Sequence, residues 1–268
     1  MIVGSVVLAV PLAAHDFWIA ASDWRVNPGA TVTITANVGD DSYPVSQNAT
    51  APERVESLRL IGPTSSVSKP VFRILGDALA ADVVLPTQAG TYMAVLTVKG
   101  RFLSMAPKEF ETYLKEEGLD GVLADRTRRQ ETDVPSRERY SRQAKTLIRA
   151  GAGSSAHVTR PAEIVAELVP DTDLTQARSG DDIAVRLLFE GRPVANAQVS
   201  AYGTGAAPIQ ARRQTGRTDA NGRVHFKLRG AGPYLLTTTH MVRRTGETGP
   251  EAVDWESYWV SITFSPLR

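Results

Sequence analysis

Five side chains in this sequence combine donor chemistry with a suggestive setting: His15 and Asp16 near the start, and His240, Asp254 and Glu256 near the end. Were the chain cut after Ala14, His15 would be the first residue. It would then offer two nitrogens one residue apart, its α-amine and its imidazole, a pair that chelates borderline-soft cations. A chelating N-terminus plus His240 supplies three nitrogen donors, and Asp16, Asp254 or Glu256 could complete or orient the set. Met241 is a weaker soft donor. His240 has a second reading, as a hydrogen-bonding group inside a sheet whose core is filled by Trp255 and Trp259.

The cut itself is an expectation from pattern. Residues 2–12 are almost wholly apolar, too short to span a bilayer as a lasting helix, and Ala13-Ala14 follow as small residues before a cleavage point. Residues 1–14 are therefore read as a signal peptide and the product as periplasmic. No Lys or Arg precedes the apolar run, a departure from the usual signal. The competing reading is an N-terminal strand over residues 13–20.

Composition bounds the rest. With 268 residues and 42 % apolar content the chain can bury two cores, and a formal charge of +1 gives no reason to expect a nucleic-acid partner. Cysteine is absent, so a metal would be held by nitrogen, oxygen or methionine sulfur.

The elements that must position these residues read as mainly β. Thr31 to Val38 alternates strictly, and further strands are expected at 56–61, 71–74, 80–85 and 91–99, with 40–52 as a surface loop. From Pro107 the period changes. Phe110, Tyr113 and Leu114 fall at helical spacing before Gly118, a second helix covers 119–129, and a third is expected from Ser136 to Gly151 on the stripe Tyr140, Ala144, Leu147, Ile148. The arginines and Lys145 between 126 and 149 are interleaved with acids, which reads as a solvated helical face rather than a nucleic-acid surface. His157 reads as an exposed loop residue.

A second β segment begins at Glu163, with strands at 164–169, 183–189, 197–202 and 234–242. The turn Asp219-Ala220-Asn221-Gly222 precedes Val224, Phe226 and Leu228, which alternate inward and leave His225 outward. The segment 191–199 followed by 218–226 resembles a prealbumin-like or carboxypeptidase-regulatory-like β-sandwich, a module that implies no catalysis by itself. The expected architecture is two Ig-like or prealbumin-like β-sandwich domains, 15–105 and 161–268, with a helical insertion at 106–150 between them.

The order Ala14-His15-Asp16-Phe17-Trp18, then 112–119 (TYLKEEGL), then 137–145 (RERYSRQAK), and finally His240-Met241 with Asp254-Trp255-Glu256-Ser257, resembles the bacterial family called domain of unknown function 4198. The resemblance spans essentially the whole chain after residue 14. It implies a periplasmic metal-binding protein associated with cobalt and nickel uptake through a membrane system, with the family's leading histidine at His15 and its late histidine at His240.

Three functions follow as expectations. The first is a binder of nickel, cobalt or copper. Its affinity would weaken as pH falls through the ordinary α-amine and imidazole values, roughly 8 and 6.5. The second is a metal-free recognition or structural module of the envelope. The third is a copper enzyme of the histidine-brace type, which requires a second histidine beside the N-terminus. No phosphate-cradling loop, helical zinc motif or nucleophile elbow is present in the sequence.

Overall fold

The computed structural model describes residues 16–39, 42–63, 70–204, 212–249 and 252–267. His15 and the signal segment lie outside these residues. Along the chain the first strands are β1 (Asp16–Ala21), β2 (Arg25–Val26), β3 (Thr31–Gly39), β4 (Asn48–Ala49), β5 (Val55–Ile61), β6 (Phe72–Leu75), β7 (Ala78–Val84) and β8 (Gly90–Leu103). Two helices follow, α1 (Pro107–Glu116) and α2 (Asp120–Arg128), and then β9 (Glu138–Ala150). The remainder is β10 (Ala166–Pro170), β11 (Asp182–Phe189), β12 (Arg192–Pro193), β13 (Gln198–Gly203), β14 (Arg213–Arg217), β15 (Arg223–Lys227), β16 (Tyr234–Arg243) and β17 (Trp255–Phe264).

These strands form three sheets. One has the order β1-β3-β7-β6 with β4 on β3, and a second joins β10, β11, β12 and β15. The third, eight strands in the order β14-β13-β16-β17-β9-β8-β5 with β2 on β9, draws on both halves of the chain. Because side chains alternate across a strand, this shared sheet presents two faces to two cores. Tyr92, Ala94, Leu96 and Val98 of β8 pack with β1, β3 and β7. Met93 and Val95 pack instead with β10, β11 and β15. The same alternation in β17 sends Tyr258, Val260, Ile262 and Phe264 to the second sheet, and Trp255 and Trp259 to the helices. The fold is mainly β, as the sequence implies, with both outer sheets leaning on one central sheet.

The two helices form where the period predicts them. Pro107 opens α1 at a position where its missing N–H costs nothing. Phe110, Tyr113 and Leu114 form its buried stripe. Gly118, at φ +64°, ends it: the Leu119 N–H bonds back to the Leu114 carbonyl at 2.8 Å, the usual left-handed glycine stop. A side chain at Gly118 would also strike Gln198, whose atoms lie 2.7–2.8 Å from an added Cβ.

The third expected helix is a strand. Tyr140, Ala144 and Ile148 recur every four residues, a spacing that satisfies one face of a strand as well as one face of a helix. Strand β9 pairs with β8 on one side and runs parallel to β17 on the other. Covered on both faces, it is buried without a break from Gln143 to Ile148, which hides its alternation. The solvated helical face expected here is corrected with it. Lys145 is fully buried, Arg126 lies under the Phe110 ring, and Arg142 stacks on Phe17.

Candidate functional site

The face of the central sheet that lies beneath the helices carries an unusual number of buried polar groups. Glu117 follows α1 directly. It extends the stripe of Phe110, Tyr113 and Leu114 by one more turn, so the helix that buries those rings also turns Glu117 toward the sheet. There Thr239 of β16 donates its hydroxyl to Glu117 Oε2 at 2.7 Å. Burial raises the Glu117 pKa to about 8, reinforced by the negative charge of Asp16 and opposed by the Thr239 bond and Arg213. Its place at the C-terminal end of a helix, where the backbone dipole is negative, further disfavours the carboxylate. Asp16 opens β1, opposite Gly39 of β3.

A second acid lies on the same face. Glu138 of β9 accepts hydrogen bonds at Oε1 from Ser257 and, at 3.3 Å, from the Tyr113 hydroxyl. Its Oε2 is buried without a hydrogen-bond partner, as are the indole nitrogens of Trp255 and Trp259. Burial lifts Glu138 to about 7 against those two bonds, and burial together with the charges of Glu138 and Glu117 raises Tyr113. The Tyr113 ring stacks on Trp259 with ring centres 5.8 Å apart. The helix pair thus sits on two carboxyls that resist ionisation and have no cation in direct contact among the bonds to described residues.

The residues expected to complete a metal set are elsewhere. His240 neighbours Thr239 in sequence and therefore faces the opposite side of the sheet. Its ring lies 4.7 Å from Phe189 of β11, and Phe189 in turn meets Tyr258 at 5.1 Å. Burial lowers the His240 pKa, which keeps the ring neutral at pH 7. Asp254 is held by Arg137 through two bonds, at 2.8 and 3.0 Å. Glu256 is held by Arg244 on the His240 side of the sheet. Both carboxylates already have a guanidinium partner. His15 lies outside the described residues, and of the other expected donors Asp16 is the one whose charge acts on a buried carboxyl, that of Glu117. Among the described residues no three His, Asp or Glu side chains converge as a metal-ligating group.

Glu117 was legible after the fact. An acid seven residues beyond Phe110, on the stripe that also holds Tyr113 and Leu114, is a polar residue on a buried face. Glu138, Ser257 and Thr239 gave no such sign, because β9 reads as a helix and hydroxyls are common in strands.

Beside α2 lies a cleft of about 430 Å³, lined by Asp120, Asp125, Arg217, His240, Arg243 and Trp255 among others. Its charged groups are paired with one another: Arg217 with Asp120, and Arg243 with Asp125 and Glu131.

The profile described as "Domain of unknown function (DUF4198)" matches residues 12–242. The chain belongs to that family. No curated protein matches it. Solved structures similar to this DUF4198 chain include the D0–D1 domain of intimin, at 13% identity over 93% of this chain and 97% of that one, with a TM-score of 0.23. A DUF4785 family protein from Legionella pneumophila is 10% identical over 82% of this chain and 50% of that one, with a TM-score of 0.28. Salmonella alpha-2-macroglobulin reacted with methylamine is 10% identical over 94% of this chain and 15% of that one, with a TM-score of 0.26. Scores of this size support no argument about what the DUF4198 chain does.

Proposed function

We propose that this chain is a periplasmic binder of a divalent transition metal, nickel, cobalt or copper, taken as cargo for a membrane uptake or handling system. In this reading the site is built on the mature N-terminus. His15 supplies its α-amine and imidazole, Asp16 a carboxylate, and Glu117 the group that completes the set. The observation that supports it is Glu117: a buried carboxyl at the negative end of α1, within electrostatic reach of the residue that follows His15, with its ionisation suppressed by burial and by Asp16. A bound cation would favour the charged form of Glu117 in a setting that otherwise penalises it. Nitrogen and carboxylate donors suit all three metals, and affinity alone would rise toward copper. His240, Asp254 and Glu256 take no part in this version of the site.

The histidine-brace alternative needs a second imidazole beside His15. The other three histidines lie on separate elements: His240 packs on Phe189, His225 is exposed on β15, and His157 lies in the loop after β9. This weighs against the brace.

The test is metal content and intact mass of the protein exported from its native upstream region, with a His15→Ala variant and a variant carrying one added glycine ahead of His15. A chain that begins at His15 and holds about one equivalent of metal, lost in both variants, is the expected result. A cut chain that stays metal-free after loading with nickel, cobalt and copper would move the assignment to a metal-free recognition module.

A further inference from the structure

At another place in the central sheet, strand β2 lies parallel to the end of β9 with Arg25 registered directly on Arg149. Like charges in register repel, so one expects an acid between them. Asp173 meets only half of that need. Its Oδ2 lies 3.5 Å from Arg149 Nη1 and accepts the Thr91 hydroxyl at 2.8 Å, while Oδ1 accepts both the N–H and the hydroxyl of Thr175, at 3.0 and 2.7 Å. With its oxygens so engaged, Asp173 makes no close ion pair with Arg25 among the described residues, and its charge offsets the repulsion from Arg149 only from a distance. Among the described residues Arg25 reaches only neutral acceptors, the carbonyls of Thr175 and, at 3.4 Å, Ser265. Both bonds use Nη2, so its Nε and Nη1 hydrogens make no bond to the described residues. Arg149 bonds through Nη1 alone, to Asp173 and to the Thr91 hydroxyl at 2.9 Å.

The two guanidinium groups open onto a cavity of about 460 Å³ that Asn27 and Gln176 also line. Among the described residues the polar side chains of its lining are two cations and two amides, beside the apolar Val26 and Ala152, and none is a carboxylate. We propose that this cavity binds a small multivalent oxyanion, a phosphate, sulfate or polycarboxylate, between Arg25 and Arg149. Paired guanidinium forks match oxyanion geometry through parallel N–H bonds, and an anion there would relieve the repulsion that the strand register imposes. Arg149 lies seven residues along β9 from Arg142, the residue registered across β17 with Trp259 and through it with Thr239. At about 3.3 Å per residue the cavity is roughly 23 Å along the strand from the row that holds Thr239, the partner of Glu117, so the inference is independent of the metal reading.

Calorimetric titration of the full mature chain with inorganic phosphate, sulfate and citrate at low ionic strength tests it, using sodium chloride as the control for general screening. One saturable site for at least one of the three is expected. Affinity should weaken at least tenfold in Arg25→Gln and recover in part in Arg25→Lys, which keeps the charge but loses the fork. Arg73→Gln, which removes an arginine paired with Asp82 on a different sheet, should bind as the parent does. Which of the three probes binds tightest separates phosphate or sulfate from a carboxylate ligand. Absence of saturable binding for all three in the parent, or unchanged affinity in a folded Arg25→Gln protein, would overturn the proposal.

Discussion

The two faces of the central sheet treat buried acids in opposite ways. Toward the second sheet, Glu167 of β10 is met by Lys145 of β9. Its carboxylate also accepts the Ala162 N–H at 2.8 Å, and Lys145 donates further to the Leu168 carbonyl at 3.1 Å. Burial pulls Lys145 down against the attraction of Glu167. Toward the helices, Glu138 is met only by hydroxyls, and Glu117 by a hydroxyl and the more distant charge of Arg213. A buried acid with its own cation is a closed arrangement that ties β9 to β10. A buried acid without one holds its proton or waits for a cation. The difference separates a structural pair from a candidate binding site without any appeal to motif.

The comparison can be broken most severely at the closed pair. Lys145→Met leaves Glu167 buried and uncompensated, and should cost about 3–5 kcal/mol, whereas replacing both partners with apolar residues should recover much of that. Chemical denaturation of the two variants measures it. A loss below about 1 kcal/mol in the single variant would mean that the pair is not closed in solution.

On the helix face the sign reverses. Glu117 and Glu138 hold protons more tightly folded than unfolded, since burial raises them from the ordinary 4.5 to about 8 and about 7. Their stabilising contribution is therefore full below about pH 4.5 and is lost as pH rises through 7 and 8. The metal-free protein should lose stability between about pH 4.5 and 8. Glu138→Gln should remove about 3 kcal/mol of that fall, because each pKa unit corresponds to about 1.4 kcal/mol. Denaturation midpoints across this range that are flat in the parent would contradict the assignment.

Smaller effects sharpen the same contrast. His240→Ala removes a ring packed on Phe189 and should cost about 1–2 kcal/mol without altering metal uptake. Asp254→Asn breaks a partly exposed pair with Arg137 and should cost at most about 1 kcal/mol, again with metal uptake intact. Metal affinity measured by competition checks both. A tenfold loss in either variant would return that residue to the site.

Much of the fold is visible in the residues themselves. Thr31 to Val38 alternates because one face of β3 is buried, and α1 is announced by Pro107, its apolar stripe and Gly118. The turn before β15 is equally plain: Asp219 Oδ1 accepts the N–H groups of Asn221 and Arg223 at 2.8 and 2.9 Å, and His225 points outward as its strand position demands. Strand β9 was hidden because a central strand covered on both faces has no alternation to read. Once it is taken for a helix, neither Glu138 nor the Lys145–Glu167 pair can be foreseen. The surroundings of the expected donors were hidden for a related reason. His240, Asp254 and Glu256 are close in sequence to plausible partners, but strand alternation does not say which neighbouring layer each face of the sheet meets or which arginine reaches a carboxylate first.

The central claim is that the helix face accepts a cation where its acids are otherwise disfavoured, and counting protons tests it most directly. Metal binding to the mature chain at pH 7 would be followed by calorimetry in buffers of differing ionisation enthalpy. The account predicts release of about two protons, from the His15 α-amine and from Glu117, whose ordinary and raised values both lie near 8. In Glu117→Gln it predicts weaker binding with one proton fewer. Release that is unchanged in Glu117→Gln, or binding that leaves the buffer unprotonated, would contradict it.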